Sequence, residues 1–211
     1  MKKILVLLSV FVLLLCGTLV ACSEPNGSGG GTEDGNPVVV FTLSTGDTIR
    51  MELYPDVAPK SVENFLVYVR EGYYVGVVFH RIINGFMVQT GGYTYRDGFL
   101  QEKAGLHDPI VGEFASNGYT NDLLHTAGVV SMARSTLPNS ATAQFFIVAE
   151  TSPHLDGDYA AFGRVDEASL AVVQRLQQVA TGRGYLALGG YLYPMSDVPI
   201  EPITILSCEL Q

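Results

Sequence analysis

Phe79-His80-Arg81-Ile82-Ile83-Asn84-Gly85-Phe86-Met87-Val88-Gln89 sets one arginine and one amide among large apolar residues. Side chains of an extended strand alternate between faces, so Arg81 and Ile83 share one side while His80 and Ile82 share the other. Asn84-Gly85 is a turn signal of the kind that joins two strands, and Phe86, Met87 and Gln89 follow it closely. A cation set among Phe and Met raises the expectation of a buried charge, which is costly without a compensating partner. Recognition of a polar substrate is the usual gain that offsets such a cost.

Working outward, residues 38–43 and 48–53 read as two strands joined by a turn at Thr45-Gly46-Asp47. In the second, Ile49, Met51 and Leu53 alternate with Arg50 and Glu52 at period two. Pro59-Lys60-Ser61 then opens a helix whose Val62, Phe65, Leu66 and Val69 form one apolar stripe, with Gly72 as its stop signal. Strand signals recur at 77–83, 86–89, 129–132, 144–148 and 203–210. A second helix is expected over 167–179, with Asp166 as its N-cap and Val172, Val173, Leu176 and Val179 on its inner face. Many antiparallel strands with two helices fit a sandwich or a closed barrel.

The ends and the composition narrow the class. Lys2 and Lys3 precede an apolar run over residues 4–15, followed by small residues, the pattern of an export signal. The stretch 4–21 is 18 residues, close to the shortest that spans a bilayer, so an uncleaved anchor is the alternative. Residues 23–36 number 14, five of them Gly, with almost nothing apolar, and read as a flexible tether. Its reach is on the order of 20 Å by random-coil scaling. Residues 37–211, 175 in all, suit one domain with a full core. The chain carries 12 Lys and Arg against 21 Asp and Glu; removing Lys2 and Lys3 leaves 10 against 21, a formal charge of −11. Such an acidic domain repels nucleic acid and anionic lipid. The cysteines are Cys16, Cys22 and Cys208, and Cys208 reads as a structural thiol in a half-buried strand. His80, His107, His125 and His154 show no ligand-type pair, so no metal and no cofactor is expected. No G-x-S-x-G elbow supports a serine hydrolase, and the Gly-rich tether lacks a P-loop ending.

Taken singly, Phe86, Met87, Phe146 and Leu155 read as core, Arg81 as a salt-bridged surface arginine, and Gln89 and Gln144 as ordinary strand residues. Their joint order changes that. Glu71-Gly72-Tyr73-Tyr74, the block 79–89, Ser131-Met132-Ala133-Arg134, Gln144-Phe145-Phe146-Ile147, Leu155-Asp156-Gly157 and Ala161-Phe162-Gly163-Arg164-Val165 resemble the cyclophilins, the peptidyl-prolyl cis-trans isomerases. The resemblance runs from about Val38 to Glu209. It implies a mainly β fold, a closed eight-stranded antiparallel barrel capped by two α-helices, with the substrate groove on the outer face. It also implies isomerisation of X-Pro bonds without a cofactor. Arg81 matches the catalytic arginine; Phe86, Met87, Phe146 and Leu155 match the proline pocket; Gln89 matches the amide that contacts substrate backbone. Ala133, Arg134 and Gln144 fall where the family lines the adjoining groove. His154 stands where many animal members have tryptophan, and Tyr159 where they have a pocket histidine. With that tryptophan absent, weak inhibition by cyclosporin A is expected; submicromolar inhibition in a peptide assay would refute it. Thr90 and Gly92 depart from the family pattern in a loop, with little effect expected, and Tyr73 and Tyr74 read as packing residues.

Leu19-Val20-Ala21-Cys22 resembles the lipobox of bacterial lipoproteins, which implies cleavage before Cys22 and its acylation. The expected organisation is a signal peptide over 1–21, a lipidated Cys22 and tether over 22–36, and an isomerase domain over 37–211. The expected partners are proline-containing peptides and unfolded or exported proteins, with a lipid anchor in the membrane, no nucleic acid, and a monomeric chain on the extracytoplasmic side. A non-catalytic module that binds proline peptides is the rival reading; retention of Arg81 speaks against it, since binding needs the pocket more than the guanidinium.

Overall fold

A computed structural model describes residues 35–211; the signal, Cys22 and most of the tether lie outside the described residues. In chain order the strands are β1 (Val38–Leu43), β2 (Thr48–Leu53), β3 (Arg81–Ile83), β4 (Met87–Thr90), β5 (Tyr93–Arg96), β6 (Phe99–Glu102), β7 (Val129–Met132), β8 (Phe145–Val148), β9 (Ala161–Val165), β10 (Thr181–Leu188), β11 (Tyr191–Pro199) and β12 (Ile205–Leu210). The helices are α1 (Pro59–Arg70), between β2 and β3, and α2 (Glu167–Leu176), between β9 and β10. No helix among the described residues is long and apolar enough to cross a membrane.

Eight strands form one sheet in the order β12-β1-β2-β9-β7-β8-β4-β3, with every ladder antiparallel. The expected closed barrel is corrected here: β12 and β3 are the two ends of an open half-barrel, with no ladder between them. A single bridge, Val78 to Thr204, spans the gap, flanked by Phe79 N–H donating to Ile203 O at 2.9 Å and Ile205 N–H donating to Val77 O at 2.8 Å. Beyond this bridge the next backbone N–H, that of His80, donates to Gln89 O of β4 instead. The strand expected over 77–83 is therefore a regular ladder only from Arg81.

The inner face holds the core because period two puts alternate residues there. Val39, Phe41 and Leu43 of β1 and Ile49, Met51 and Leu53 of β2 are fully buried. Phe65 on α1 enters this concavity and meets Phe145 edge-on at 5.2 Å, Tyr74 at 5.2 Å and Phe162 at 5.3 Å. Tyr73 and Tyr74 are buried at the turn after α1, and the Tyr74 hydroxyl donates to Ala143 O at 3.0 Å. Gly163 on β9 leaves room for β2: a Cβ there would lie 2.5 Å from Glu52 O.

Each helix start is satisfied differently. The Asp166 carboxylate accepts from Ser169 N–H at 2.8 Å, the expected N-cap. At α1 the N-cap residue is Ala58, which has no side chain to offer. The buried Glu113, from a remote loop, takes its place and accepts from Lys60 N–H, Ser61 N–H and Ser61 Oγ at 2.8–3.0 Å. A carboxylate at a helix N-terminus also complements the macrodipole. Cys208 is partly buried on β12, and burial pushes its thiol up to about 12, which keeps it an unreactive thiol.

The second sheet, β11-β10-β6-β5, is absent from the strand signals read in the sequence. Its β10–β6 pairing is parallel and the others are antiparallel. A small cluster of Val78, Leu100, Leu186 and Val198 holds it to the segment before β3. Beyond that cluster the β10–β11 hairpin exposes Leu188, Tyr191, Leu192 and Tyr193.

Candidate active site

The site follows from strand register. Arg81 pairs with Gln89 across β3 and β4, Gln89 with Phe146 across β4 and β8, and Phe146 with Ser131 across β8 and β7. Directly paired residues project to one face, so Arg81, Gln89 and Phe146 form a row on the outside of the sheet. Ile82, Val88 and Ile147 face the core and are buried, while His80, also buried, packs against Tyr93 of β5. The turn that sends β3 into β4 is fixed from α2's end: Gly85, at φ 75°, donates its N–H to Gln177 Oε1 at 2.9 Å.

Ten of the eleven residues singled out for chemistry line one cavity of about 370 Å3: Arg81, Phe86, Met87, Gln89, Ala133, Arg134, Phe146, His154, Leu155 and Tyr159. The eleventh, Gln144, lines an adjoining hollow of about 260 Å3 together with Gln89, Ala133 and Arg134. Met87, Phe146 and Leu155 are as buried as core residues, yet they belong to a second apolar cluster outside the main one. They form the floor of the cavity. Two larger hollows, each of about 730 Å3, lie along the β10–β11 turn and between α1 and residues 107–111. Neither is lined by an arginine or backed by this apolar floor, so size alone does not locate the site.

Arg81 is more open than its neighbours in sequence imply: its side chain is 39% exposed, which corrects the expectation of a buried cation. The guanidinium is stationed at the rim, where water shares the cost of the charge. Its Nη1 donates to Gln89 Oε1 at 3.4 Å, and Gln89 Nε2 donates to Gln144 Oε1 at 3.0 Å. This one-directional relay fixes both amides. Arg134 is braced rather than free: its Nε donates to Asp158 O at 2.9 Å, and its guanidinium lies 4.6 Å from the Tyr159 ring centre and 5.1 Å from that of Phe114. Tyr159 in turn meets Phe146 edge-on at 5.8 Å, and His154 lies tilted on Phe86 at 5.1 Å.

Residues not singled out in the sequence support this arrangement from behind. His125 Nδ1 lies 2.9 Å from Asp156 Oδ1 and its Nε2 lies 3.0 Å from Ser131 Oγ, with the ring stacked on Phe146 at 6.2 Å. The geometry is that of a Ser-His-Asp triad, but Ser131 is fully buried and has no access to a substrate. Here the set stiffens the floor under Phe146. Burial lowers the pKa of His125 first, against the carboxylate of Asp156, which raises it. His80 is sealed behind Arg81, and burial lowers its pKa to about 4, so it is neutral at physiological pH. Gly92, expected from the sequence to matter little, is tied to the site: a Cβ there would lie 2.5 Å from Gln144 Nε2, so the glycine makes the space the amide occupies. No group of three metal-ligating side chains occurs among the described residues.

Comparison with known proteins agrees with this geometry. Residues 38–210 match the family described as cyclophilin type peptidyl-prolyl cis-trans isomerase. A peptidyl-prolyl cis-trans isomerase of Streptomyces antibioticus is 42% identical over 172 residues, covering 77% of this chain and 92% of the relative. The peptidyl-prolyl cis-trans isomerase B of Escherichia coli is 39% identical over 176 residues, covering 80% and 99%. Among solved structures, a cyclophilin type isomerase of Cryptosporidium parvum superposes with a TM-score of 0.64 at 24% identity, covering 83% of this chain and 98% of that one, which bears on fold alone. The chain belongs to the cyclophilin-type peptidyl-prolyl cis-trans isomerases. With relatives of that activity matched over most of both chains, it is an enzyme of that class.

Proposed function

We propose that this enzyme isomerises X-Pro bonds in the cavity beside Arg81, on exported proteins at a membrane surface to which Cys22 anchors it. The observation that carries the catalytic part is the row Arg81–Gln89–Phe146, which puts a fixed guanidinium at the rim of an apolar slot. An X-Pro bond resists rotation by ~18–20 kcal/mol because amide resonance holds it planar. Lowering that barrier needs no nucleophile, only preferential binding of the twisted amide. The slot of Phe86, Met87, Phe146 and Leu155 takes the pyrrolidine ring. The amides of Gln89 and Gln144 hold the flanking peptide. As the amide twists, the proline nitrogen becomes pyramidal and gains a lone pair, to which an Arg81 N–H donates. Arginine suits the role because it stays charged and presents its donors in a rigid fork.

The cellular part rests on the sequence of residues 1–36, on the lipobox-like Leu19-Val20-Ala21-Cys22 above all. Proline isomerisation takes tens of seconds uncatalysed and limits many folding reactions, which gives an enzyme outside the cytoplasm a use. Two measurements test the proposal. The full-length chain should accelerate isomerisation of a short X-Pro peptide well above background; a folded chain that binds the peptide without accelerating it would establish the binding-module reading instead. In cells, Cys22→Ser should move the protein from the membrane fraction to the soluble fraction and abolish palmitate labelling; an unchanged distribution would overturn the lipid anchor.

A further inference from the structure

Arg81 is approached from a direction that the family-like motifs do not cover. Asp197, on β11 of the second sheet, holds its Oδ2 3.9 Å from Arg81 Nε, and no other carboxylate among the described residues comes within 4.0 Å of this guanidinium. At 3.9 Å the two groups attract but make no hydrogen bond, so the pairing uses up none of the arginine's donors. Gln89 takes one Nη1 donor on the other side. The guanidinium is therefore held between an amide and a carboxylate on a side chain that lines the cavity.

The backbone is bent to make this contact. Gly182 pairs with Val198 but Gly184 pairs with Met195, so Arg183 faces two residues, Ser196 and Asp197: a bulge of two against one. Bulges re-aim side chains near functional sites. Asp197 itself sits at φ 60°, one of two non-glycine residues in the left-handed region among those described. Aspartate and asparagine tolerate that conformation, whereas most side chains are strained there. Strain of this kind persists where the surrounding structure imposes it, and it gathers at functional sites.

We infer that Asp197 is a positioning residue for Arg81: the β10–β11 hairpin lends the active site a carboxylate that aims the catalytic guanidinium at the cavity. The inference rests on the catalytic role of Arg81 proposed above. An arginine side chain has rotamer entropy to lose on being fixed, so a charge that fixes it beforehand reduces what the transition state must supply. The effect falls in kcat more than in KM, because the substrate slot does not include Asp197.

The test uses the full-length chain with an uncharged peptide, acetyl-Ala-Ala-Pro-Phe-amide, comparing wild type, Asp197→Asn, Arg81→Ala and the double variant. Asparagine keeps the backbone conformation and removes only the charge. The expected result is about a threefold loss of kcat for Asp197→Asn at 50 mM salt, with KM unchanged. That gap should close by 1 M salt, where the screening length falls to about 3 Å. In the Arg81→Ala background the substitution should have no further effect. Equal kcat for wild type and Asp197→Asn at low salt, a gap indifferent to salt, or the same loss in the Arg81→Ala background would each overturn the inference. A wild type that does not accelerate the peptide at all would strike the catalytic proposal and this inference together, and is told apart by that missing baseline.

Discussion

The two sheets of this protein solve the same problem of burying strands with unequal means. The eight-stranded sheet closes its inner face over an aromatic cluster centred on Phe65 and offers its outer face as a groove floor of Met87, Phe146 and Leu155. The four-stranded sheet rests on little more than Val78, Leu100, Leu186 and Val198, and leaves Tyr191 70% exposed. One sheet supplies stability and the pocket. The other contributes little core but brings Asp197 to the pocket's rim. Stability and site geometry are thus separable in this molecule, and substitutions in the two sheets should report on them differently.

The largest expected effect lies in the first sheet's core. Phe65→Ala should cost about 3–5 kcal/mol of stability, because it removes a ring fully enclosed by other rings. Urea unfolding measures it; a cost below about 1 kcal/mol would mean the core is not where the folded chain draws its stability.

At the seam between the sheets, His80 presents its ring edge-on to Tyr93 at 4.7 Å. Its pKa is lowered to about 4 by burial from 6.5, so on acidification the unfolded chain takes up this proton first. Stability should therefore be full above about pH 6.5 and fall as pH drops from there towards 4. The loss is roughly 2 kcal/mol between pH 7.5 and pH 5 from this residue alone. His125, lowered by burial, adds to the fall with the same sign. Urea titrations across that range should show the slope, and His80→Gln should flatten much of it; a wild type equally stable at both ends would contradict the burial of a neutral histidine.

Gly92→Ala should separate site from stability. The new Cβ displaces the flexible end of Gln144, so folding should change by less than about 1 kcal/mol while the Gln89–Gln144 hydrogen bond is lost. Peptide isomerisation should drop about fivefold, corresponding to roughly 1 kcal/mol. Unchanged activity would show that the relay does not order the site. Smallest of all, Tyr191→Ser on the exposed hairpin should shift stability by no more than about 0.5 kcal/mol. A cost of several kcal/mol would reveal a packing role for the second sheet that its exposure denies.

The contrast also explains what could be read in advance. β1 and β2 have the expected bounds, because strict alternation of apolar residues marks a strand buried on one face. α1 likewise buries Val62, Phe65, Leu66 and Val69, as its stripe requires. Arg81, Gln89, Phe86, Met87, Phe146 and Leu155 were legible as a set because they lie in motifs whose order matches the cyclophilins. The second sheet was not legible, since Tyr185-Leu186-Ala187-Leu188 and Tyr191-Leu192-Tyr193 do not alternate and bury only Leu186 among them, too little to enforce a pattern. The open edge was hidden for a related reason: residues 77–83 have the composition of one strand, and only the backbone shows where pairing is regular. Glu113, Gly92 and Asp197 act across 52 or more residues of sequence, on Ser61, Gln144 and Arg81, through contacts no local pattern encodes.

The account stands on Arg81 acting in the transition state rather than in binding. The direct measurement is the catalysed rate on a short X-Pro peptide, taken with the affinity for the same peptide, for wild type and Arg81→Ala. The account predicts a rate lower by about 100-fold, or roughly 2.7 kcal/mol, with affinity changed by less than about threefold. A variant that loses affinity and rate in equal measure, or that keeps most of its rate, would contradict it.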